Sequence, residues 1–174
     1  WGPHTPLQAL KRDYDAVGDI KPHRLRVYAA MVRAIDRSVG RITNALKSLG
    51  LEQNTLVVFS SDNGGAGYVG LPEINAPFRG WKLTNFEGGL REPMFLKWPA
   101  EIPPNTSIDV PVAHIDVAPT LAAAAQVGVP PELELDGTDM MAFLDDPEGS
   151  KVLERTLFWQ SGHYRVVRKG DWKL

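Results

Sequence analysis

The chain has 174 residues, no cysteine and a formal net charge of -2, with 43% hydrophobic and 23% charged residues. That is enough for one ordinary domain with a core, in a composition typical of soluble globular proteins. No basic stripe suggests nucleic acid, no apolar run approaches the roughly 20 residues of a membrane span, and the lack of cysteine excludes disulfides, thiolate metal sites and a cysteine nucleophile. The sequence starts at Trp1 and stops at Leu174 inside a strand pattern, so it reads as a portion of a longer protein.

In chain order, residues 1–22 read as loop, with prolines at positions 3, 6 and 22. Tyr28, Met31, Val32, Ile35, Val39, Ile42, Leu46 and Leu49 then recur at helical spacing, with Gly50 as a stop. The nearly unbroken apolar, β-branched run Thr55-Leu56-Val57-Val58-Phe59-Ser60 predicts a strand buried on both faces. A helix followed by a buried strand implies an α/β fold, a mostly parallel sheet flanked by helices. Residues 61–70 form a glycine-rich loop, and residues 94–98 a second short strand. Residues 116–126 predict a helix with Asp116 as N-cap and Gly128 as stop. Residues 138–144 predict a shorter helix. The segments 157–159, 164–167 and 172–174 predict the start of a small C-terminal antiparallel sheet. The expected organisation is a main α/β domain over residues 1–150 and a small antiparallel subdomain over residues 151–174.

Three segments could carry chemistry. Ser61-Asp62-Asn63-Gly64-Gly65 follows the predicted strand, and ligands in open α/β sheets bind beyond the carboxyl ends of strands. Asp62 and Asn63 offer hard oxygens suited to calcium or magnesium. The alternative is a turn in which both side chains bond their own backbone. The segment from Phe78 to Pro93 combines Arg79, Lys82, Glu87 and Arg91 with glycines. It reads equally as an oxyanion site or as a solvated loop with a surface ion pair of Arg91 with Glu92 or Glu87. His4 lies between Pro3 and Pro6 on a stiff backbone. It reads as a positioned proton donor or as an exposed loop histidine. His23, His114 and His163 read as structural.

Taken together, the segments are specific. Pro3-His4-Thr5-Pro6-Leu7-Gln8-Ala9, then Ser61-Asp62-Asn63-Gly64-Gly65, then Arg79-Gly80-x-Lys82-x4-Glu87-Gly88-Gly89-x-Arg91-x-Pro93 resemble the type I sulfatases in order and spacing. His114-Ile115-Asp116-Val117-Ala118-Pro119-Thr120-Leu121, Leu135-Asp136-Gly137 and the segment from Val167 to Leu174 are similar to later parts of the same family. The sequence departs from many members at Trp81, where a small residue is usual, and at Glu92, where an apolar one is.

The resemblance implies an alkaline-phosphatase-like fold and hydrolysis of sulfate esters. It places calcium on Asp62 and Asn63, and sulfate contact and leaving-group assistance on Lys82. It makes His4 a sulfate-binding general acid. The family's nucleophile is a formylglycine made in a C/S-x-P-S-R motif. That motif is absent here, as are recognisable partners for the paired N-terminal aspartates of the calcium shell. The chain is thus expected to hold about half a site and to be inactive alone. The substrate would be a small-molecule or carbohydrate sulfate ester, and most members are exported. Two other readings stand beside this one. One is a phosphate or phosphonate ester hydrolase of the same superfamily, against which Asn63 argues, because such relatives place a histidine there. The other is a non-catalytic anion-binding remnant. A serine hydrolase is disfavoured, since no G-x-S-x-G occurs. Neither the particular ester nor the oligomeric state is legible.

Overall fold

A computed structural model describes residues 2–145 and 155–174. The chain divides into two compact units, Trp1–Phe95 and Leu96–Leu174. The domain boundary expected between residues 150 and 151 lies outside the described residues.

The first unit opens with a short helix, α1 (Lys11–Asp15), where the sequence suggested only loop. Its one buried residue is Asp13, whose carboxylate meets Arg37 of the long helix α2 (His23–Ser48) and lies 3.9 Å from Arg33. The pairing is non-local, so spacing along the sequence does not announce it. Gly50 ends α2 as expected. Its φ of 69° is left-handed, and the bonds Gly50 N–H to Lys47 O and Leu51 N–H to Leu46 O close a Schellman cap. The predicted apolar stripe is only partly covered: Val32, Ile42 and Leu49 remain 45%, 57% and 70% exposed.

Strand β1 (Val57–Ser60) pairs with β2 (Met94–Lys97) in a two-stranded sheet. Every residue of β1 is half-buried, which corrects the expectation of a strand buried on both faces. Helix α3 (Glu87–Leu90) is a single turn between the strands.

In the second unit the core is Val110, Met140 and Phe143, packed against Leu96, Ile108, Val112 and Val117. A 3-10 turn, His114–Asp116, runs into helix α4 (Val117–Ala124). The side chain of Asp116 does not cap α4. It is fully buried, accepting from Ala113 N–H at 2.7 Å, Thr138 N–H at 2.8 Å and both terminal nitrogens of Arg155. The stop of α4 also differs from expectation. Gln126, not Gly128, takes the left-handed position at φ 55°, with Val127 N–H bonding Ala122 O and Gln126 N–H bonding Ala123 O. The third predicted helix is a 3-10 segment, Met140–Leu144, capped by the Asp139 carboxylate on Met141 N–H.

Strands β3 (Thr156–Ser161), β4 (Tyr164–Lys169) and β5 (Trp172–Lys173) form the expected antiparallel sheet. Phe158 pairs with Val167, and Lys169 with Trp172. Among the described residues no helix is long and apolar enough to cross a membrane.

Candidate functional site

Within the first unit, a cleft of ≈ 570 Å³ gathers His4, Asp62, Asn63 and Lys82. His4 and Asp62 lie 58 residues apart in sequence, and Asn63 and Lys82 lie 19 apart, yet all four line one space. Three pieces of local structure bring them there.

The first is the loop leaving β1. Ser60 Oγ donates to Pro93 O at 3.1 Å, tying the strand end to the chain entering β2. Ser61 Oγ donates to Asn63 O at 2.9 Å. Asn63 Nδ2 donates to Gly64 O at 3.0 Å. This engages the donor end of the amide, so Oδ1 is the end that can ligate a cation. Asp62 is exposed beside it. Gly64 is buried where a Cβ would stand 1.9 Å from Gly88 O, so no side chain fits.

The second piece is the turn that carries Lys82. Thr84 N–H bonds Trp81 O at 2.9 Å, and Leu83 has φ 76°, a conformation usually left to glycine or asparagine at that turn position. Thr84 Oγ1 accepts from Trp81 N–H at 3.1 Å and donates to Trp81 O at 2.7 Å. Gly80 has φ 90°, and a Cβ on it would meet Thr84 Oγ1 at 2.5 Å. Gly64 and Gly88 are therefore required by backbones in contact, and Gly80 by the Thr84 side chain packed against it. Lys82 N–H donates to Gly65 O at 3.3 Å, so the lysine turn is bonded directly to the Asp62 loop.

The third piece is the N-terminal loop. His4 is exposed, and its Nδ1 bonds Thr5 O at 3.0 Å. A carbonyl only accepts, so Nδ1 carries the proton. Nε2 is then the nitrogen free to meet a ligand, and it donates only when the ring is an imidazolium.

The sequence left the lining residues Tyr28, Tyr68 and Asn75 unassigned, whereas Phe78, Arg91 and Glu92 belong to the candidate segment it singled out. Tyr28 of α2, Tyr68, Asn75, Phe78, Arg91 and Glu92 also face the cleft. Arg91 stacks over Phe78, 4.9 Å from the ring centre. Burial, and secondarily the charge of Glu92, hold the Tyr28 phenol above its ordinary pKa of 10.0, so it stays protonated. Arg24 of α2 donates to Val69 O at 2.9 Å and braces the wall that carries Tyr68. A polar tip within an apolar helical stripe was the available signal for Tyr28. Asn75 had none, because its partners lie in other loops.

The donor chemistry fits a hard cation in part. Asp62 and Asn63 supply two oxygens of the kind calcium takes. A calcium shell needs about six to eight oxygens, and no group of three or more His, Asp or Glu among the described residues could hold a metal. The two residues thus fit as a partial shell.

Comparison with known proteins agrees with the motif pattern. A family model described as Sulfatase matches residues 1–127. A sulfatase of Formosa agariphila is 37% identical over 175 residues, covering 94% of this chain and 31% of the relative. The steryl-sulfatase of Mus musculus is 38% identical over 147 residues, covering 81% of this chain and 24% of the relative. The crystal structure of Ps i-CgsB superposes with a TM-score of 0.90 at 36% identity, over 98% of this chain and 38% of that one. Its complex with k-i-k-neocarrahexaose gives a TM-score of 0.88. The chain therefore spans about a third or less of the curated relatives' length. From the family model, which covers well over half of its residues, this chain belongs to the sulfatase family.

Proposed function

We propose that the complete protein hydrolyses sulfate esters, with a carbohydrate or aryl sulfate as substrate. The observation that carries this reading is the convergence of His4, Asp62, Asn63 and Lys82 on one cleft. Hydrolysis breaks the S–O bond, releases an alcohol and leaves sulfate. The charge to be stabilised lies on oxygen, and each group has a task suited to that.

The Lys82 ammonium binds a sulfate oxygen and neutralises charge growing on the ester oxygen. His4, anchored through Nδ1, presents Nε2 and as imidazolium passes its proton to the leaving alcohol. Asp62 and Asn63 Oδ1 would hold calcium, which supplies positive charge for the sulfate oxygens when bound. The remaining calcium ligands and a formylglycine nucleophile would come from residues outside these 174, which contain no C/S-x-P-S-R sequence. A carbohydrate ester is supported by the relative whose structure holds k-i-k-neocarrahexaose. The steryl-sulfatase relative, whose name specifies a sterol sulfate, supports a small-molecule ester as the other class. In the same reading, β1 and β2 belong to a mostly parallel sheet of a domain covering residues 1–150. Residues 151–174 then begin a smaller antiparallel subdomain.

The test is Lys82→Ala in the full-length protein, assayed on an aryl sulfate and on sulfated oligosaccharides with calcium. We expect kcat to fall about 10²- to 10³-fold with unfolding midpoints unchanged. Near-normal turnover would remove Lys82 from the chemistry. The 174-residue chain alone is expected to show no turnover on the same substrates.

A further inference from the structure

Asn75 stands on a loop between the two segments that carry the candidate site, and its side-chain amide is completely engaged by backbone. Oδ1 accepts from Gly65 N–H at 2.8 Å. Nδ2 donates to Gly65 O at 2.9 Å and to Gly80 O at 3.1 Å. Gly65 ends the Asp62–Asn63 loop, and Gly80 opens the turn that carries Lys82. Gly65 O also receives Lys82 N–H at 3.3 Å. One amide therefore bridges the two loops, and the carbonyl it fixes is the one that holds the Lys82 backbone.

The chemistry of the bridge is demanding. It needs one acceptor and two donors in a plane, which among side chains of this length asparagine alone supplies. Aspartate keeps the acceptor for Gly65 N–H but sets a carboxylate oxygen against two carbonyls. Alanine leaves Gly65 N–H, Gly65 O and Gly80 O without these partners. Space is also defined, because a Cβ on Gly65 would stand 2.9 Å from Asn75 Oδ1.

We infer that Asn75 is a positioning residue, a clamp that sets Lys82 against the Asp62–Asn63 pair. This rests on the site assignment above. Asn75 lines the cleft, but its polar atoms are occupied by backbone, so its influence on turnover passes through the placement of Lys82.

The experiment uses Asn75→Ala and Asn75→Asp in the full-length protein, at a temperature where both are folded by circular dichroism. Hydrogen exchange followed by mass spectrometry reads the amides of residues 61–66 and 80–85. We expect both segments to exchange about tenfold faster or more. On an aryl sulfate, kcat should fall about 10- to 100-fold with KM within about threefold, the signature of a misplaced group. In a Lys82→Ala background, Asn75→Ala should cost less than about threefold further, since the clamp acts through the lysine. Unchanged exchange in the 80–85 segment would overturn the inference. So would a full 10- to 100-fold loss persisting without Lys82. If Lys82→Ala alone left turnover normal, the functional reading would fail instead. The exchange data would then decide the clamp: acceleration keeps it, and its absence ends it.

Discussion

Asp62 and Asp116 both sit in signature segments, and their surroundings are opposite. Asp116 is fully buried, with two backbone N–H groups and the Arg155 guanidinium on its oxygens. Asp62 is exposed at a cleft beside an amide whose donor end is already engaged. One carboxylate completes a fold and the other remains available to a ligand. Recurrence in a motif does not separate these roles, but burial and hydrogen-bond partners do.

The largest effect should follow from breaking the buried member. Asp116→Ala strands the Arg155 charge and two backbone donors, and we expect a loss of about 3–5 kcal/mol in urea unfolding. A loss near zero would mean that Arg155 finds water, and that the pair adds little to stability. Asp62→Ala should do the reverse. Stability should stay within about 0.5 kcal/mol of the parent, while calcium binding to the full-length protein, followed by calorimetry, should be lost. If Asp62→Ala destabilised the protein as much as Asp116→Ala, the contrast between the two carboxylates would collapse.

The smallest effect concerns Tyr28, which shares the cleft with Asp62 but is half-buried like a fold residue. Burial first, and Glu92 second, raise its pKa above 10.0. The folded protein thus holds the phenolic proton more tightly than the unfolded chain does. That contribution is intact below 10.0 and is lost as pH rises through the higher folded value. Tyr28→Phe should flatten this alkaline limb when urea midpoints are compared across pH. An unchanged limb would assign it to other groups.

These contrasts explain what was legible in the sequence. The stop at Gly50 was readable because glycine is the ordinary residue for a left-handed cap, whereas Gln126 adopts the same conformation against its type. The short terminal strands were readable as the segments 157–159, 164–167 and 172–174, which the structure joins in one antiparallel sheet. The four candidate site residues were legible through motif order, and the structure gathers them at one cleft. β1 is half-buried where its apolar run predicts burial on both faces, because such a run reports a capacity for burial and not burial itself. Asn75, the Asp13–Arg37 pair and the Asp116–Arg155 pair were invisible, since each joins groups distant in sequence.

The contact between Gly64 and Gly88 also bears on how such proteins can be recombined. With 1.9 Å available to any added carbon, neither loop can be redesigned in isolation from the other. Residues 61–93 are therefore the smallest sensible cassette for exchange among relatives. A chimera joined inside that stretch would pair backbones shaped for different partners. Tyr68 and Phe78 also line the cleft but stay 56% and 37% exposed, outside this backbone contact.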